Sequence, residues 1–568
     1  MTGGPHGPDQ ASRPPARLGA ASGRWVILAT VLGSGMALLD ATAVNVALPA
    51  IGRGLHASLA GLQWVISGYI LALAALILLG GSLGDRVGRR RIFLTGVAWF
   101  ALASALCGLA PDIGVLIAAR VLQGIGGALL VPGSMAIISA AFSAADRPAA
   151  IGAWSGLGGL ASAAGPLLGG WLVTTLGWRW VFLLNLPIAA VILAVAHRHL
   201  PESRDRLVTR RFDVLGAVLA ALALAGISYA LIGASGGSSG GGSGAGRADA
   251  ALAAALAAVA GLAAVAGLAA GAGFLVVERR RQRPGARGPA PMLPFAVFAS
   301  RQFTVINLIT FCVYAAVGGT TFLLVLQLQV SDGFSALAAG ASMLPVTAAL
   351  LVLSPRSARL AQRIGPRWPI AAGALIAAAG LAAMTRIGPG AGYLAEVAPA
   401  VTAFGLGMAL IVAPLTATVL ASAPARYAGV ASGVNNAVAR SANLLAVAGL
   451  PAAVGLSAAG YRVPADLTRG FHAAMAICAG AMLVAAVLAA ATVDEQVLRP
   501  AGPRSVVQAE GERRRRRRGL PVVPPDRRAG GEELGRVLAP DEAVGLRLHA
   551  DDAGRAGPGS LGLHPDQR

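Results

Sequence analysis

Two residues in this chain carry a charge inside apolar runs, and one of them has the type to move a proton. Asp40 is the one acid set well inside an apolar run. A charged side chain near a bilayer centre costs about 2.5–3.5 kcal/mol on insertion scales. An acid kept at that cost reads as a group that takes up and releases a proton. The alternative is a structural acid bonded to Thr42, Asn45 or a neighbouring helix. Arg120 sits in a second apolar run, with Gln123 and Gly124 following on the same helix. A guanidinium does not give up its charge, so it needs an acid or helix carbonyls as partners, or a helix end from which to snorkel.

A second group of residues has the chemistry of a latch. The stretch 81–91 reads Gly-Ser-Leu-Gly-Asp-Arg-Val-Gly-Arg-Arg-Arg between two long apolar runs. Gly84, Asp85, Arg86, Gly88, Arg89 and Arg90 carry it. An acid there can accept from the N-terminus of a facing helix, and the expected partner is the segment 427–430. The arginines also serve topology. A decayed echo, Ala-Gln-Arg-Ile-Gly-Pro-Arg, occupies 361–367. Gln362 stands there where the first copy has Asp85, so the two latches should differ. In a third place, Gly165, Pro166, Gly169 and Gly170 combine small residues that let helices approach closely with a proline that can kink one. That suits a hinge and seal, or plain close packing.

These residues need rigid carriers, and the composition supplies them. The 568 residues are 56% hydrophobic and 12% charged, with a mean hydropathy of +0.69. A soluble chain carries roughly twice that charged fraction. Apolar runs long enough to cross a hydrocarbon core of about 30 Å recur, without the alternation of barrel strands. About fourteen helical spans are expected, at 25–48, 61–82, 93–110, 113–137, 149–174, 179–196, 213–233, 251–277, 303–327, 335–354, 369–386, 395–420, 427–455 and 471–492. The net charge of +21 comes from arginine, since no lysine occurs. It concentrates after spans two, six, eight and ten, as Arg198, Arg204, Arg206, Arg210, Arg211, Arg279 to Arg281, Arg283, Arg287, Arg356, Arg359, Arg363 and Arg367 show. By the positive-inside rule those loops and both termini are cytoplasmic, in a cell (inner) membrane.

The echo places the same loop in two halves, which predicts a 6+2+6 plan. The segments are a disordered cytoplasmic tail 1–24, a six-helix half 25–200, an inserted pair with a Gly/Ser-rich linker 201–302, a second half 303–492 and a basic disordered tail 493–568. The run Arg513 to Arg518 in that tail suits anionic lipid headgroups. Nucleic acid is disfavoured because no aromatics accompany it. Cys107, Cys312 and Cys478 fall in apolar runs as small hydrophobes. No metal-ligand spacing, Ser/His/Asp set or acid-rich cluster appears, so no enzyme, metal or cofactor is expected.

Several segments resemble the major facilitator superfamily, and within it the fourteen-span drug:proton antiporters of the EmrB/QacA type. They are the loop 81–91; 39–49, Leu-Asp-Ala-Thr-Ala-Val-Asn-Val-Ala-Leu-Pro; 62–69, Leu-Gln-Trp-Val-Ile-Ser-Gly-Tyr; 120–128, Arg-Val-Leu-Gln-Gly-Ile-Gly-Gly-Ala; 156–170, with its Gly-Pro; and 178–187, Trp-Arg-Trp-Val-Phe-Leu-Leu-Asn-Leu-Pro. The resemblance spans about 25–492 and implies an all-α major facilitator fold. It also implies proton coupling through Asp40 and Arg120, and a cargo class of amphipathic drugs or antibiotics exported by alternating access. In span thirteen, Arg440-Ser-Ala-Asn443 interrupts a region that the family fills with glycine. Trp64, Tyr69, Trp154, Asn307, Tyr314, Gln327, Asn435 and Asn436 are the candidate cavity residues for a neutral or singly charged molecule; belt or packing roles are the alternative. The chain is expected to act as a monomer. A transporter of an ordinary metabolite and a sensor without flux are the other functional readings.

Overall fold

The computed structural model describes residues 17, 20–143, 146–203, 213–237, 247–283, 289, 292–423, 428–457 and 460–498. Most of the N-terminal tail, Arg204, Arg206, Arg210, Arg211, Arg287, Tyr427, linker residues 238–246 and the tail from 499 onward, with Arg513 to Arg518, lie outside them.

The described chain is helical. Its elements are α1 (Ala21–Gly54), α2 (Leu59–Val87), α3 (Arg89–Gly108), α4 (Ile113–Ala141), α5 (Arg147–Thr175), the short α6 (Arg179–Leu183) and α7 (Asn185–His199). Next come α8 (Val214–Gly237) and α9 (Arg247–Arg281). The remaining helices are α10 (Arg301–Leu326), α11 (Ala336–Ala341), α12 (Leu344–Ile364), α13 (Arg367–Met384), α14 (Ala398–Ala421), α15 (Ala428–Ala453) and α16 (Pro464–Thr492). A π-turn, Gln327–Ser331, extends α10. Starts are set by side chains that accept from exposed helix N–H groups: Ser58 from Gly61, Asp112 from Val115, Ser300 from Phe303 and Ser335 from Ala338.

Thirteen stretches among the described residues are long and apolar enough to cross a membrane. The expected thirteenth span, 427–455, is the helix α15, which is not among the thirteen. Asn435, Asn436, Arg440 and Asn443 interrupt its apolar run.

Helices α1 to α7 pack together, α4 lying against α1, α2 and α3. Helices α10 to α16 form a second bundle, in which α14 packs on α12 and α13 while α10 packs on α15 and α16. Helices α8 and α9 pair with each other, and α8 leans on both α2 and α15. The outer face of α9 leaves Leu262, Val265 and Leu268 exposed, as suits a helix bathed in lipid.

The two bundles touch unevenly. Call the end holding 84–91 the arginine-rich end. Every described hydrogen bond between the bundles lies at the opposite end. Gln63 donates to the carbonyls of Val447 and Ala448 at 2.8 and 3.0 Å. Gln329 donates to Val46 at 2.9 Å. Tyr461 and Arg462 both donate to Ala57, at 2.6 and 2.9 Å. Toward the arginine-rich end, Gly152, Gly156 and Gly159 of α5 would meet nothing within 4 Å if each carried a Cβ. The described hydrogen bonds between the bundles therefore seal the opposite end, and none is described at the arginine-rich end.

Candidate functional site

Asp40 lies in the middle of α1, fully buried, and four helices converge on it. Arg120 of α4 places Nη1 2.6 Å from Oδ2, and the residue is 1% exposed. Gln123, one turn further along α4, donates to Oδ1 at 2.9 Å, and so does Asn185 of α7 at 2.9 Å. Arg120 also donates to the carbonyl of Val65 at 3.1 Å and to Gln123 Oε1 at 2.6 Å. Ser104 of α3 accepts from Gln123 and Asn185 and donates to the carbonyl of Phe182. The Tyr69 ring lies under the guanidinium, 4.2 Å from its centre. One acid and one base thus neutralise each other in a closed polar network, which offsets the large desolvation cost that either would carry alone.

The network settles which partners Asp40 uses. Thr42 bonds to Leu38, Leu39 and Ser162 carbonyls, and Asn45 bonds to Ala41, so neither holds the acid. Arg120 is no snorkelling residue. The sequence reading missed Ser104 and Asn185 as members, although Asn185 stood in the quoted 178–187 segment. Its position at the first residue of α7, after the break that separates α6, is what aims it inward.

At the latch, Asp85 pairs with Arg89 across the junction of α2 and α3, at 2.8 Å. Arg89 also donates to the carbonyl of Ala136 in α4. Among the described residues Asp85 makes no bond to α15; of the expected partner segment 427–430, Tyr427 lies outside the described residues. The acid that closes the loop is one the sequence reading passed over. Glu202, after α7, accepts from the backbone N–H groups of Arg90 and Arg91 at 3.1 and 3.3 Å. It caps the N-terminus of α3. Arg90 reaches the His197 carbonyl, which ties the same segment to α7. Gly88 has φ +130, and a Cβ on it would stand 2.6 Å from the Glu202 carboxylate. The echo repeats this geometry: Gly365 has φ +91, a Cβ there would meet Glu495 after α16, and Arg367 lies 3.6 Å from Glu495. Glu202 and Glu495 follow the last helix of their bundles, so the two loops match in this respect while Asp85 and Gln362 do not.

Helix α5 carries Gly165, Pro166, Gly169 and Gly170 between the bundles. Gly165 packs on Leu39 and Thr42 of α1, the turn that bears Asp40. A Cβ on Gly169 would stand 2.8 Å from Ala43 Cα, and one on Gly170 2.6 Å from the Ala336 carbonyl of α11. Gly340 of α11 meets the Pro166 carbonyl in turn. Backbone therefore lies on backbone on both faces of α5, from the Asp40 turn to the second bundle.

The candidate cavity residues divide. Asn435 of α15 donates to Asn307 at 3.2 Å and Thr310 at 2.8 Å, both on α10. Tyr314 and Tyr69 both lie in the electrostatic neighbourhood of Arg440. Trp154 donates to Ser34 at 3.2 Å. Asn436 is exposed and bonds within its own helix. Two residues are elsewhere. Trp64 packs its ring against Tyr229 of α8, 6.1 Å between centroids, so it serves the inserted pair. Gln327 is fully buried at the sealed end, bonded to Asp332 and Thr468.

Two bundles of apolar, membrane-length helices, joined by hydrogen bonds at one end and holding a buried ion pair in one of them, define a multi-pass membrane protein of the transporter class. Residues 30–447 match the Major Facilitator Superfamily, and the chain belongs to that family. It is 35% identical over 409 residues to the tetracenomycin C resistance and export protein of Streptomyces glaucescens, covering 72% of this chain and 71% of that protein. It is 34% identical over 456 residues to a probable actinorhodin transporter of Streptomyces coelicolor, covering 76% and 75%. It is 34% identical over 491 residues to a puromycin resistance protein of Streptomyces alboniger, covering 83% and 92%. The fold is similar to that of a peptide transporter crystallised with sulfate, with a TM-score of 0.58 at 18% identity over 84% of this chain and 96% of that one.

Proposed function

We propose that the chain is a proton-coupled exporter of amphipathic drugs or antibiotics, working by alternating access. The observation that carries this is the closed network around Asp40, in a family member whose relatives are resistance and export proteins. In this reading the plan is 6+2+6 with fourteen spans, α15 included. The halves are 25–200 and 303–492, and the arginine-rich end and both termini face the cytoplasm of a bacterial cell. With the described hydrogen bonds between the bundles only at the opposite end, this reading takes the structure as the inward-facing form.

The chemistry follows from the partners. In the inward-facing form Asp40 is paired with Arg120 and has no need of a proton. From the outward-facing form it takes one. The protonated carboxyl becomes a donor on one oxygen, and Asn185 Oδ1, buried with no partner, is the acceptor at hand after a rotation of its amide. Arg120 loses its counter-ion and leans on the Val65 carbonyl, Gln123 and the Tyr69 face. That changes the packing of the α1 turn against Gly165, and α5 carries the change to α11. Release of the proton to the cytoplasm restores the pair. Each state is favoured by a different ligand, substrate or proton, which is the thermodynamic content of antiport.

The test is expression in an efflux-deficient bacterial host, with accumulation of a compound panel measured with and without a protonophore. The expected result is low accumulation of some compounds that rises when the gradient is collapsed. Accumulation unaffected by the protonophore for every compound contradicts proton coupling.

A further inference from the structure

We propose that Arg440 anchors an ionised acidic group of the transported molecule, so that the preferred cargo is an amphipathic acid carrying a carboxylate or an acidic phenolate. The inference rests on the export reading and narrows it. Two arginines lie deep in the helices of this chain, and their surroundings differ. Arg120 is neutralised by Asp40 at 2.6 Å. Among the described residues Arg440, midway along α15, has no acidic partner. Among the described residues its electrostatic neighbours are the hydroxyl-bearing rings of Tyr69 on α2 and Tyr314 on α10. Its Nε is buried and has no hydrogen-bond partner. A guanidinium keeps its charge in any protein setting and presents a planar fork that fits a carboxylate. Left without a counter-ion among helices it is costly, and a bound anion removes that cost.

Position supports the same reading. Helix α15 packs on α2 of the first bundle and α10 of the second, so Arg440 sits at the seam that alternating access opens and closes. Asn436 is one turn away on the same face. It spends one donor on its own helix and leaves its carbonyl oxygen and second N–H free. Asn435 is already committed to Asn307 and Thr310, so it holds the wall and leaves the anion to Arg440.

Two surface cavities, one toward each end of the helices, carry the same sign. Arg356, Arg359 and Arg363 line a cavity between α12 and α14 at the arginine-rich end. Arg53, His56 and Arg462 line another at the sealed end, beside Gln329 and Tyr461. The first set obeys the positive-inside rule, but the second stands on the side where that rule asks for no cations. No acid lines either cavity. Cations toward both ends and at the seam favour an anion over a cation.

The experiment uses the purified full chain in lipid nanodiscs with 1-pyrenebutyrate and its uncharged amide, 1-pyrenebutanamide, read by fluorescence at neutral pH. The wild-type chain is expected to bind the acid at least tenfold more tightly than the amide. Arg440→Gln is expected to lose that preference while keeping its affinity for the amide, which also reports that the variant is folded; Arg440→Lys restores part of the preference. The wild-type comparison needs no variant. Absence of an acid preference in the wild type overturns the assignment, and so does an equal loss of both ligands in Arg440→Gln. Binding with the acid preference but without protonophore-sensitive efflux removes the export reading and leaves the anchor. Efflux of neutral compounds without any acid preference does the reverse.

Discussion

The carboxylate of Asp40 and the guanidinium of Arg120 meet at 2.6 Å with both side chains shut away from solvent. Removing one partner leaves the other charged and buried, which costs about 3–5 kcal/mol, whereas removing both costs far less. Arg120→Gln should therefore lower the thermal midpoint strongly, and Asp40→Asn combined with Arg120→Gln should recover much of it. The paired variant should still fail to drive export against a gradient when a ΔpH is imposed. A double variant that pumps in reconstituted vesicles removes Asp40 from the proton path.

The loop at the arginine-rich end makes a prediction that separates two acids in equivalent places. Glu202 accepts two backbone N–H bonds from α3 and one from Ser203, whereas Glu495 is 3.6 Å from Arg367 with no described bond to a backbone N–H of α13. Loss of a helix cap costs about 1 kcal/mol. Glu202→Ala should lower the midpoint measurably and Glu495→Ala by less. Gly88→Ala should be worse than Glu202→Ala, because it adds a Cβ at φ +130 and drives it against that carboxylate. Thermal melts of the three variants side by side decide the order.

What the sequence made legible was the set of groups that are costly in a membrane. An acid and an arginine in apolar runs stand out whatever surrounds them, so Asp40 and Arg120 were readable as candidates. Their joining at 2.6 Å was not, because it depends on the crossing of α1 and α4. Asn185 and Ser104 were hidden because a single amide or hydroxyl in a helix is ordinary until its orientation is known. Glu202 was hidden for a different reason: acids in loops are common, and only the left-handed turn at Gly88 brings this one over α3. Trp64 was misplaced because an aromatic near a helix entry has the same spacing whether it faces a cavity or the inserted pair. Run length gave most helix limits to within a few residues, but the span expected at 335–354 is α11 followed by α12, which runs to Ile364 and carries Arg356, Arg359 and Arg363 on a helix, where a loop was expected.

The backbone contacts of α5 lead to a split between insertion and function. Gly165→Leu drives a side chain into Leu39 and Thr42 on the Asp40 turn, and Gly170→Leu drives one into Ala336 and Leu337 of α11. Overpacking of this kind costs about 1–3 kcal/mol, which a large bundle can absorb. Both variants should insert in the membrane at near-normal levels and lose most export. Gly165→Leu should also leak protons in vesicles given a ΔpH, because it disturbs the network side. Gly156→Leu is the control, since a Cβ there meets nothing within 4 Å. Equal export in all three variants contradicts the role given to α5.

At the sealed end, Asp332 should make stability depend on pH in the acid range. It follows the π-turn that holds Gln329 against Val46, so its charge state bears on the seal itself. Burial raises its carboxyl from the ordinary 3.8 to about 6, although a hydrogen bond from Gln327 at 3.1 Å pulls the other way. One oxygen is paired in that bond; Oδ2 is buried with no partner. Between the two values the folded chain binds more protons at this site than the unfolded chain does. Stability from this group is therefore complete below about pH 4 and is lost as the pH rises through about 6. The midpoint of the wild-type chain should fall across that window relative to Asp332→Asn, which keeps the shape and cannot ionise. The Gln63 bonds to α15 do not titrate, so Gln63→Leu should lower the midpoint equally at both ends of the window. Thermal melts of the wild type and both variants at pH 4, 5, 6 and 7 check this, and parallel curves for the wild type and Asp332→Asn remove Asp332 from the seal.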